Sequence, residues 1–439
     1  MSSFCRVLFV FDRNLRLDNH TLLKRCLENC KDRCCEVLFL YVWDEDYLWP
    51  HGVNEKQAAF LREALFSLRD DLNRFDSTLH CVEGDRLHVI RRLVDEGDFR
   101  TVFLEQTLSP HESGDFLKIK NAVLEKGGQF ISDRGNWLYE PGEILSKKRE
   151  VLKKYTPFMK QCAARFEQDI LEMSTRCFDA TNLSWGEMQT VHEVGLGLVP
   201  TVLDGKFLSN DYDWSDAMME NYQENRDFPA RDPGVSKVSA YLRFGVLSID
   251  QLAISAWTGS RTLWNELIWR EFYAHWYYHF PNTAVDNFDV RFDKMSWVHD
   301  SVLFQRWAEG KTGYALVDAG MVSLIESGYI HNRVRMVTAS FLCKDLHMDW
   351  REGEKLFAQH LIDYDPASNV GNWQWVAGCG VDAAPYFRIF NPELQREKFD
   401  PHKIYTSRWL SDSYSIDKII DHQIEKETAM ALYREIKKD

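Results

Sequence analysis

The chain contains no long apolar run. Across its 439 residues no stretch of about 18 consecutive apolar residues occurs, so the sequence predicts no transmembrane helix. The N-terminus enters a strand-like segment without a basic region followed by a long apolar stretch, so we expect a cytoplasmic protein rather than a secreted one. Hydrophobic residues at 45% and charged residues at 27% are typical of a globular protein, and the length predicts two domains.

An excess of basic residues is also missing. The chain has 53 Lys and Arg residues and 67 Asp and Glu residues, which give a formal net charge of −14 at pH 7. Non-specific affinity for DNA comes mainly from Lys and Arg side chains that neutralise phosphates. The composition therefore argues against a generic nucleic-acid binder, and a DNA-binding protein of this charge has to concentrate its basic residues on one face.

The ten cysteines lack the paired CxxC spacings of a zinc site. Four of them cluster in the sequence, at Cys26, Cys30, Cys34 and Cys35. A metal site is the less favoured interpretation of this cluster. Thiols in a reducing cytosol explain it better, and we predict no metal.

Residues 1–134 alternate β-prone runs with helical patterns. The β-prone runs are 6–11, 36–43, 79–83, 101–105 and 130–133, and the helical patterns lie near 18–29, 54–74, 86–96 and 112–126. Strands separated by helices of this length predict a parallel, Rossmann-like sheet that is covered on both faces. No G-x-G-x-x-G follows the first run, although the carboxyl edge of such a sheet remains a usual place for a cofactor.

The rest of the chain divides into a predicted connector and a predicted helical domain. Residues 135–200 are predicted to be a connector, partly helical around the charged segment 147–154 (KKREVLKK). Residues 201–439 have few strand patterns, and aromatic-rich segments of helical length predict an all-α domain. Seven tryptophans lie between Trp257 and Trp350. They are compatible with a bulky core or with a domain that holds a planar cofactor and passes electrons, and composition leaves both open.

Four segments of the second half resemble the FAD-binding domain of the photolyase/cryptochrome family. They are 264–273 (WNELIWREFY), 309–317 (EGKTGYALV), 329–342 (YIHNRVRMVTASFL) and 363–392 (DYDPASNVGNWQWVAGCGVDAAPYFRIFNP). Together with KDLHMDWREGEKLF they cover most of 235–400, and VLFVFDRNLRLDNHTLL is similar to the opening strand and helix of the family. The resemblance implies an antenna-type α/β domain over 1–134 and a helical FAD-binding domain over 201–439.

The resemblance also implies an FAD pocket with a defined diphosphate site. The residues that match the diphosphate contacts of the family are Val235, Ser236, Lys237, Val238 and Ser239, with Tyr222 as an upstream contact. Backbone N–H groups and hydroxyls at the start of a helix suit a pyrophosphate. Without the resemblance, an ordinary capped helix is the simpler interpretation of this segment.

Two acidic residues and one amide match the flavin-facing positions of the family. Asp363 and Asp365 are implied to lie beside the isoalloxazine and the ribityl chain, and Arg335 is implied to pair with Asp363, since a buried carboxylate needs a partner to stay ionised. Asn369 is implied to face flavin N5. Many cryptochromes of the plant type carry an acid there, so the amide favours repair. A lone Asn would otherwise be interpreted as a turn residue.

Five further residues match the substrate pocket of dimer photolyases. The matching tryptophans, Trp269 and Trp375, are implied to pack on a flipped-out pyrimidine dimer, and Glu266 and Asn332 to contact its bases. Glu266 and Trp269 are three residues apart and share a helix face, which is also the pattern of an amphipathic helix with one core Trp. Asn332 and Met336 stand where (6-4) photolyases carry histidines, so the pattern is closest to class I cyclobutane-dimer photolyases.

Three tryptophans match the electron path of the family. Trp373, Trp350 and Trp297 are implied to form a chain from the flavin to the surface, along which hopping photoreduces oxidised FAD. Any one of them alone is explained as core filler. Because both repair and signalling members use such a chain, it does not discriminate between the two functions.

The remaining implications concern DNA and a second chromophore. Arg333 and Arg388 are candidates for phosphate contacts to UV-damaged DNA, although surface arginines are common. The family often carries a folate (methenyltetrahydrofolate) or a deazaflavin at the α/β domain, and Glu112 matches a folate-contacting acid. We therefore expect a monomeric, FAD-dependent enzyme that splits cyclobutane pyrimidine dimers in light. The alternative is a cryptochrome-type blue-light photoreceptor with little or no repair, which the net charge of −14 favours.

Overall fold

The structure is a computed structural model and describes residues 5–31, 34–107, 110–185, 188–191, 198–201, 203, 208, 212–231, 234–385 and 387–436. The N-terminal part alternates strands and helices around a parallel sheet, and the C-terminal part is built of helices. The predicted fold class, an α/β unit followed by an all-α unit, is confirmed.

Within the described residues seven strands form one sheet. They are β1 (Cys5–Val10), β2 (Cys35–Trp43), β3 (Leu79–Glu83), β4 (Thr101–Leu104), β5 (Gln129–Ile131), β6 (Met188–Thr190) and β7 (Val199–Pro200). The order is β5-β4-β1-β2-β3-β7, and β6 pairs with the start of β2. Pairings among β1 to β5 are parallel, whereas β7 runs antiparallel to β3.

The sheet is buried on both faces. In β1, Val7 and Phe9 lie in one hydrophobic core, while Leu8 and Val10 lie in another on the opposite face. Burial on both sides explains why the sequence of this strand is a continuous apolar run and does not alternate between apolar and polar residues. The helices that cover the sheet are α1 (Thr21–Cys30), α2 (Glu45–Leu48), α3 (Glu55–Asn73), α4 (Arg86–Glu96) and α5 (Pro110–Glu125).

Helices dominate the remainder of the chain. They are α6 (Tyr155–Ser174), α7 (Asp216–Asn225), α8 (Ser239–Arg243), α9 (Ile249–Gly259), α10 (Arg261–His279), α11 (Ser301–Ala308), α12 (Ala315–Ser327), α13 (Asn332–Ser340), α14 (Trp350–His360), α15 (Pro366–Ala377), α16 (Pro392–Phe399), α17 (Ile404–Trp409) and α18 (His422–Ile436). A π-helical turn at Phe341–Asp345 follows α13, and short 3₁₀ turns occur at Ala180–Asn182, Pro281–Ala284 and Val290–Lys294.

The connector differs from its prediction in two respects. The charged segment 147–154 is a turn rather than a helix: Arg149 has a φ of 61°, which a right-handed helix excludes, and a bridge joins Leu145 to Val151. Helix α6 begins only at Tyr155 and packs on α9 and α10. The connector also supplies β6 and β7, which the sequence did not predict because strands of two or three residues carry no periodicity.

Polar side chains of the α/β unit hold the loop that leads into α15. Asn54 donates from Nδ2 to the carbonyls of Ala358 and Leu361, at 3.0 and 2.9 Å. Gln57 donates from Nε2 to the carbonyls of Ile362 and Tyr364, both at 3.2 Å. Both side chains are buried. Since the same loop carries acidic residues predicted to face a cofactor, α3 fixes the backbone of the candidate site.

Helix α15 starts and ends with recognisable caps. Asp365 is its N-cap and accepts from the N–H of Ser368 at 2.9 Å, and Pro366 fills the first helical position. Gly378 ends the helix with a φ of 87°, a left-handed conformation that glycine adopts without strain. The caps fix the start and the end of the helix that carries Asn369, Trp373 and Trp375.

Two structural expectations from the sequence concern membranes and metals. Over the described ranges, no helix is long and apolar enough to cross a membrane. Cys26, Cys30 and Cys35 are buried, and burial raises the pKa of Cys26 well above its usual value. In the part of the chain that the structure describes, no group of three or more His, Cys, Asp or Glu residues is arranged to hold a metal ion.

Candidate cofactor and substrate site

Two adjoining cavities lie in the helical unit. The larger, of about 250 Å³, is bounded by α7, α8, α10 and the loop before α15, and the smaller, of about 90 Å³, lies between α13, α14 and α15. The residues that line both are Asn332, Arg335, Asp363, Asp365 and Ser368. The shared wall makes the two cavities parts of one site. At Lys237 and Ser239 the site continues into a wider cleft of about 730 Å³.

Most of the residues singled out in the sequence meet at this site. The larger cavity is lined by Tyr222, Val235, Ser236, Lys237, Val238, Ser239 and Glu266, and the smaller by Met336, Asn369 and Trp373. Six other candidates are absent from the described walls of both cavities: Trp269, Trp297, Arg333, Trp350, Trp375 and Arg388.

The carboxylate of Asp363 is held by two donors. Arg335 donates from one nitrogen to both oxygens, at 3.1 and 2.8 Å, and Ser239 donates from Oγ at 2.6 Å. Only 4% of the Asp363 side chain is exposed. The arginine supplies the counter-charge that a buried carboxylate requires, so the predicted pair is present in the structure.

Asp365 lies between two guanidinium groups. Burial works to raise the pKa of its carboxyl, but Arg243 and Arg270 outweigh burial and hold that pKa below its usual value. Arg270 is itself fixed, because it donates to the carbonyl of Asn136 at 3.0 Å. Asp365 therefore stays ionised at neutral pH, with its Oδ2 4.0 Å from a guanidinium nitrogen of Arg243.

Residues 235–239 form the part of the wall next to these acids, since Ser239 is hydrogen-bonded to Asp363. Ser236 and Val238 are buried, whereas Lys237 and Ser239 are exposed and line the cavity. Lys237 has a φ of 52°, which turns the chain just before the short helix α8. The wall thus presents an ammonium group, hydroxyls and backbone donors.

This donor set fits a dinucleotide. Lys237 and the hydroxyls of Ser236 and Ser239 suit phosphate oxygens, and the carboxylates of Asp363 and Asp365 suit ribityl hydroxyls and a ring N–H. The amide of Asn369 completes the smaller cavity. The residues present therefore fit FAD, with Lys237 toward the phosphates, the acids toward the flavin, and Ser239, which is bonded to Asp363, between them.

Glu266 carries a partner that the sequence analysis missed. Arg226 on α7 donates to Oε1 of Glu266 and stacks its guanidinium over the ring of Tyr222, 5.6 Å from the ring centre. Tyr222 and Arg226 are four residues apart, so one helix face carries both. The four-residue spacing from Tyr222, a predicted cofactor contact, is the sequence feature that could have indicated Arg226.

Trp269 is covered on one side. Tyr155, the first residue of α6, stacks on it with ring centres 3.5 Å apart and planes 3° from parallel. Tyr155 is fixed in turn, because its hydroxyl donates to the carbonyl of Asn265 at 2.9 Å and its N–H donates to Asp382 at 2.9 Å. Tyr273 also stacks on the Trp269 ring, with ring centres 5.6 Å apart and planes 29° from parallel, so the indole packs among the protein's own rings.

Comparisons with known proteins identify the family of this chain. Residues 7–175 match the model of the DNA photolyase domain, and residues 263–438 match the FAD-binding domain of DNA photolyase. A deoxyribodipyrimidine photo-lyase of Agrobacterium fabrum is 31% identical over 98% of this chain and 98% of its own. The chain belongs to the photolyase/cryptochrome family.

Solved structures of this family share the fold. A bacterial class III photolyase from Agrobacterium tumefaciens matches with a TM-score of 0.82 at 28% identity, over 100% of this chain and 98% of that chain. A cryptochrome from Synechocystis matches with a TM-score of 0.82 at 23% identity, over 98% of this chain and 100% of that chain. FAD is the cofactor of the C-terminal unit, as the family match and the donor set both indicate.

The three tryptophans predicted to form an electron path lie in or next to α14 and α15. Trp373 and Trp350 are almost fully buried, and Trp297 is partly buried. A Cβ on Gly353 would lie 2.2 Å from the Trp373 ring, so the glycine allows that indole to lie directly on α14, one turn from Trp350. Val298 donates its N–H to the carbonyl of His347 at 2.8 Å, which brings the Trp297 segment beside the start of α14.

The candidate DNA contacts lie outside the cavity walls. Arg333 is paired with Asp227 at 2.8 Å and lies over the ring of Phe399. Arg388 is exposed, 5.9 Å from the ring centre of the half-buried Trp375. Arg388 is therefore open to a phosphate as it stands, whereas Arg333 has to exchange Asp227 for one.

The carboxyl edge of the sheet is filled by the chain's own side chains. Asp12 accepts from Arg86 at 3.0 Å and from the Tyr47 hydroxyl at 3.1 Å. Glu105 accepts from the N–H of Arg13 at 2.9 Å, and burial raises the pKa of Glu105 to about 7. The folate candidate Glu112 has a side chain outside the described residues, so an antenna chromophore remains a prediction.

Proposed function

We propose that this protein is a deoxyribodipyrimidine photo-lyase that uses light to split cyclobutane pyrimidine dimers in DNA. One observation carries the proposal: Asn332 lines both cavities, so the space that fits FAD continues to Asn332 and Met336, the positions that match dimer contacts. The relatives named deoxyribodipyrimidine photo-lyase support the same activity. The sequence pattern further favours class I and a cytoplasmic monomer.

FAD bound among Lys237, Asp363 and Asp365 would, once reduced and excited by blue or near-UV light, supply one electron to the dimer, and that electron would return after the cyclobutane bonds are broken. The protein's own side chains orient the dimer and stabilise the negative charge that develops on it. Glu266 is placed to accept from a base edge, and Arg226 holds its carboxylate in position. Asn332 adds an amide on the same wall, where hydrogen bonds strengthen as negative charge develops on the dimer.

DNA binding draws on a small basic set near the site. Arg333 and Arg388 are the candidates for phosphate contacts, and the exposed Phe387 beside Arg388 offers an apolar surface to a displaced base. The dimer must leave the helix to reach the cavity, and a damaged pair costs less to extrude than an intact one. Because these basic residues lie close to the site, a chain of net charge −14 can still bind DNA there.

The test is a repair assay on an oligonucleotide that contains one thymine dimer. The holoprotein is first reduced with dithionite, then illuminated or kept dark. We expect loss of the dimer in light and none in the dark, with Glu266→Ala reduced roughly 10-fold or more because a transition-state hydrogen bond is removed. No repair by fully reduced, illuminated holoprotein would overturn the proposal and leave the photoreceptor alternative.

A further inference from the structure

The amide of Asn369 is held in one orientation by Glu354. Nδ2 of Asn369 donates to the backbone carbonyl of Glu354 at 3.2 Å and to its Oε1 at 3.1 Å. Two acceptors on one side fix the amide nitrogen there. Oδ1 is therefore the atom that Asn369 presents to the smaller cavity, where it suits an N–H donor of the cofactor.

Glu354 is a buried acid without a strong counter-charge. It lies on α14 with 5% of its surface exposed and accepts from the Tyr364 hydroxyl at 3.2 Å. Among the described residues its ion-pair partner is His51, whose Nε2 is 3.9 Å from Oε2. Burial raises the pKa of Glu354 to about 7, against the lowering effect of its bonds from Asn369 and Tyr364. The acid therefore titrates near neutral pH.

The surroundings of Glu354 connect the cavity to solvent. His51 precedes α3, and 39% of its side chain is exposed; burial and the nearby Lys355 lower its pKa. On the inner side Tyr364 faces Tyr277 and Arg243, and burial raises the pKa of Tyr364 well above its usual value. The tyrosine stays protonated, so Glu354 is the group of this set that binds a proton near neutral pH, and the partly exposed His51 beside it links it to solvent.

We propose that Glu354 is a positioning residue for the flavin site that fixes the Asn369 amide and takes up a proton, delivered from solvent by way of His51, when FAD is reduced. The inference rests on the FAD site of the proposed function. Reduction of FAD to its anionic reduced form consumes two electrons, here from an electrode, and one proton that becomes part of the flavin. The added negative charge favours the neutral form of a nearby acid, so Glu354 binds a further proton.

The experiment measures protons taken up per FAD reduced. Holoprotein in weak buffer at pH 7.5 is reduced anaerobically at an electrode, without DNA, with methyl viologen as a mediator that carries no protons and with the counter-electrode in a separate compartment, while an indicator dye reports proton uptake. In the wild type we expect clearly more than one proton per FAD, and in Glu354→Gln about one, because the amide cannot titrate. Glu352→Gln, an exposed acid on the same helix, should behave as the wild type. Equal uptake by the wild type and Glu354→Gln would overturn the inference.

Two further measurements keep the inference falsifiable if Glu354→Gln binds FAD poorly. His51→Gln should slow the extra uptake while leaving its amount unchanged, and unchanged kinetics would remove His51 from the path. The infrared difference between reduced and oxidised wild type should contain a protonated-carboxyl band, and its absence would overturn the inference. If the wild type and Glu354→Gln take up equal numbers of protons while the wild type repairs dimers, this inference alone is contradicted. If the wild type takes up the extra proton but does not repair dimers, only the proposed function is contradicted.

Discussion

Arg226 donates to Oε1 of Glu266 at the wall of the FAD cavity. The pair joins α7 to α10, and both side chains are partly exposed, at 21% and 30%. The carboxylate that is proposed to touch the dimer is thus oriented before substrate arrives, which lowers the cost of ordering it on binding.

Loss of Arg226 should weaken dimer recognition. Arg226→Ala leaves Glu266 without its ion-pair partner, so we expect roughly 10-fold weaker binding of dimer-containing DNA, with FAD content unchanged. Fluorescence anisotropy with damaged and undamaged duplexes measures this effect. Arg74→Ala, which removes an exposed ion pair on α3, is the matched control. If Arg226→Ala and Arg74→Ala lost affinity for dimer-containing DNA equally, the effect would be one of overall charge and not of Glu266 orientation.

The pair between Arg335 and Asp363 should control FAD retention. Arg335→Ala strands a buried carboxylate, a defect that typically costs about 3–5 kcal/mol, so the variant should lose FAD and unfold at lower temperature. The double variant Arg335→Ala/Asp363→Asn removes the stranded charge and should recover much of the thermal stability without recovering FAD. Full FAD content in Arg335→Ala would contradict the assigned site.

The tryptophan path should matter for photoreduction and not for repair by flavin that is already reduced. Trp350→Phe should slow photoreduction of oxidised FAD by roughly 10-fold or more, because a step of the hopping path is lost, while dithionite-reduced enzyme keeps its repair rate. Absorbance during illumination measures the first quantity. Trp185→Phe, which stacks on Phe75 beside the sheet, is the control and should photoreduce normally.

The buried Glu105 should give stability a defined pH dependence. Burial raises its pKa to about 7 in the folded protein, so between the ordinary value of 4.5 and 7 the folded form binds more protons than the unfolded form. Stability from this group is therefore lost as pH rises through that window. The melting temperature of Glu105→Gln should equal that of the wild type near pH 4.5 and should exceed it near pH 8. An offset independent of pH would contradict this account.

Sequence patterns were sufficient for β1 to β5 and insufficient for β6, β7 and parts of the site. The β-prone run 36–43 falls within β2, because a strand buried on both faces leaves a nearly continuous apolar run. The Asp363 pair was implied by family resemblance. By contrast, Glu354 and Tyr155 reach Asn369 and Trp269 across different helices, and such tertiary contacts leave no local periodicity.

The central claim is light-driven dimer splitting, and a single-turnover flash experiment tests it most directly. Dithionite-reduced holoprotein is mixed with an oligonucleotide containing one thymine dimer and given one near-UV flash, and the restored thymines are counted by chromatography. The account predicts restored thymines in proportion to bound, reduced FAD and none in an unflashed sample. An unchanged dimer count, with reduced FAD bound and the oligonucleotide in complex, would contradict it.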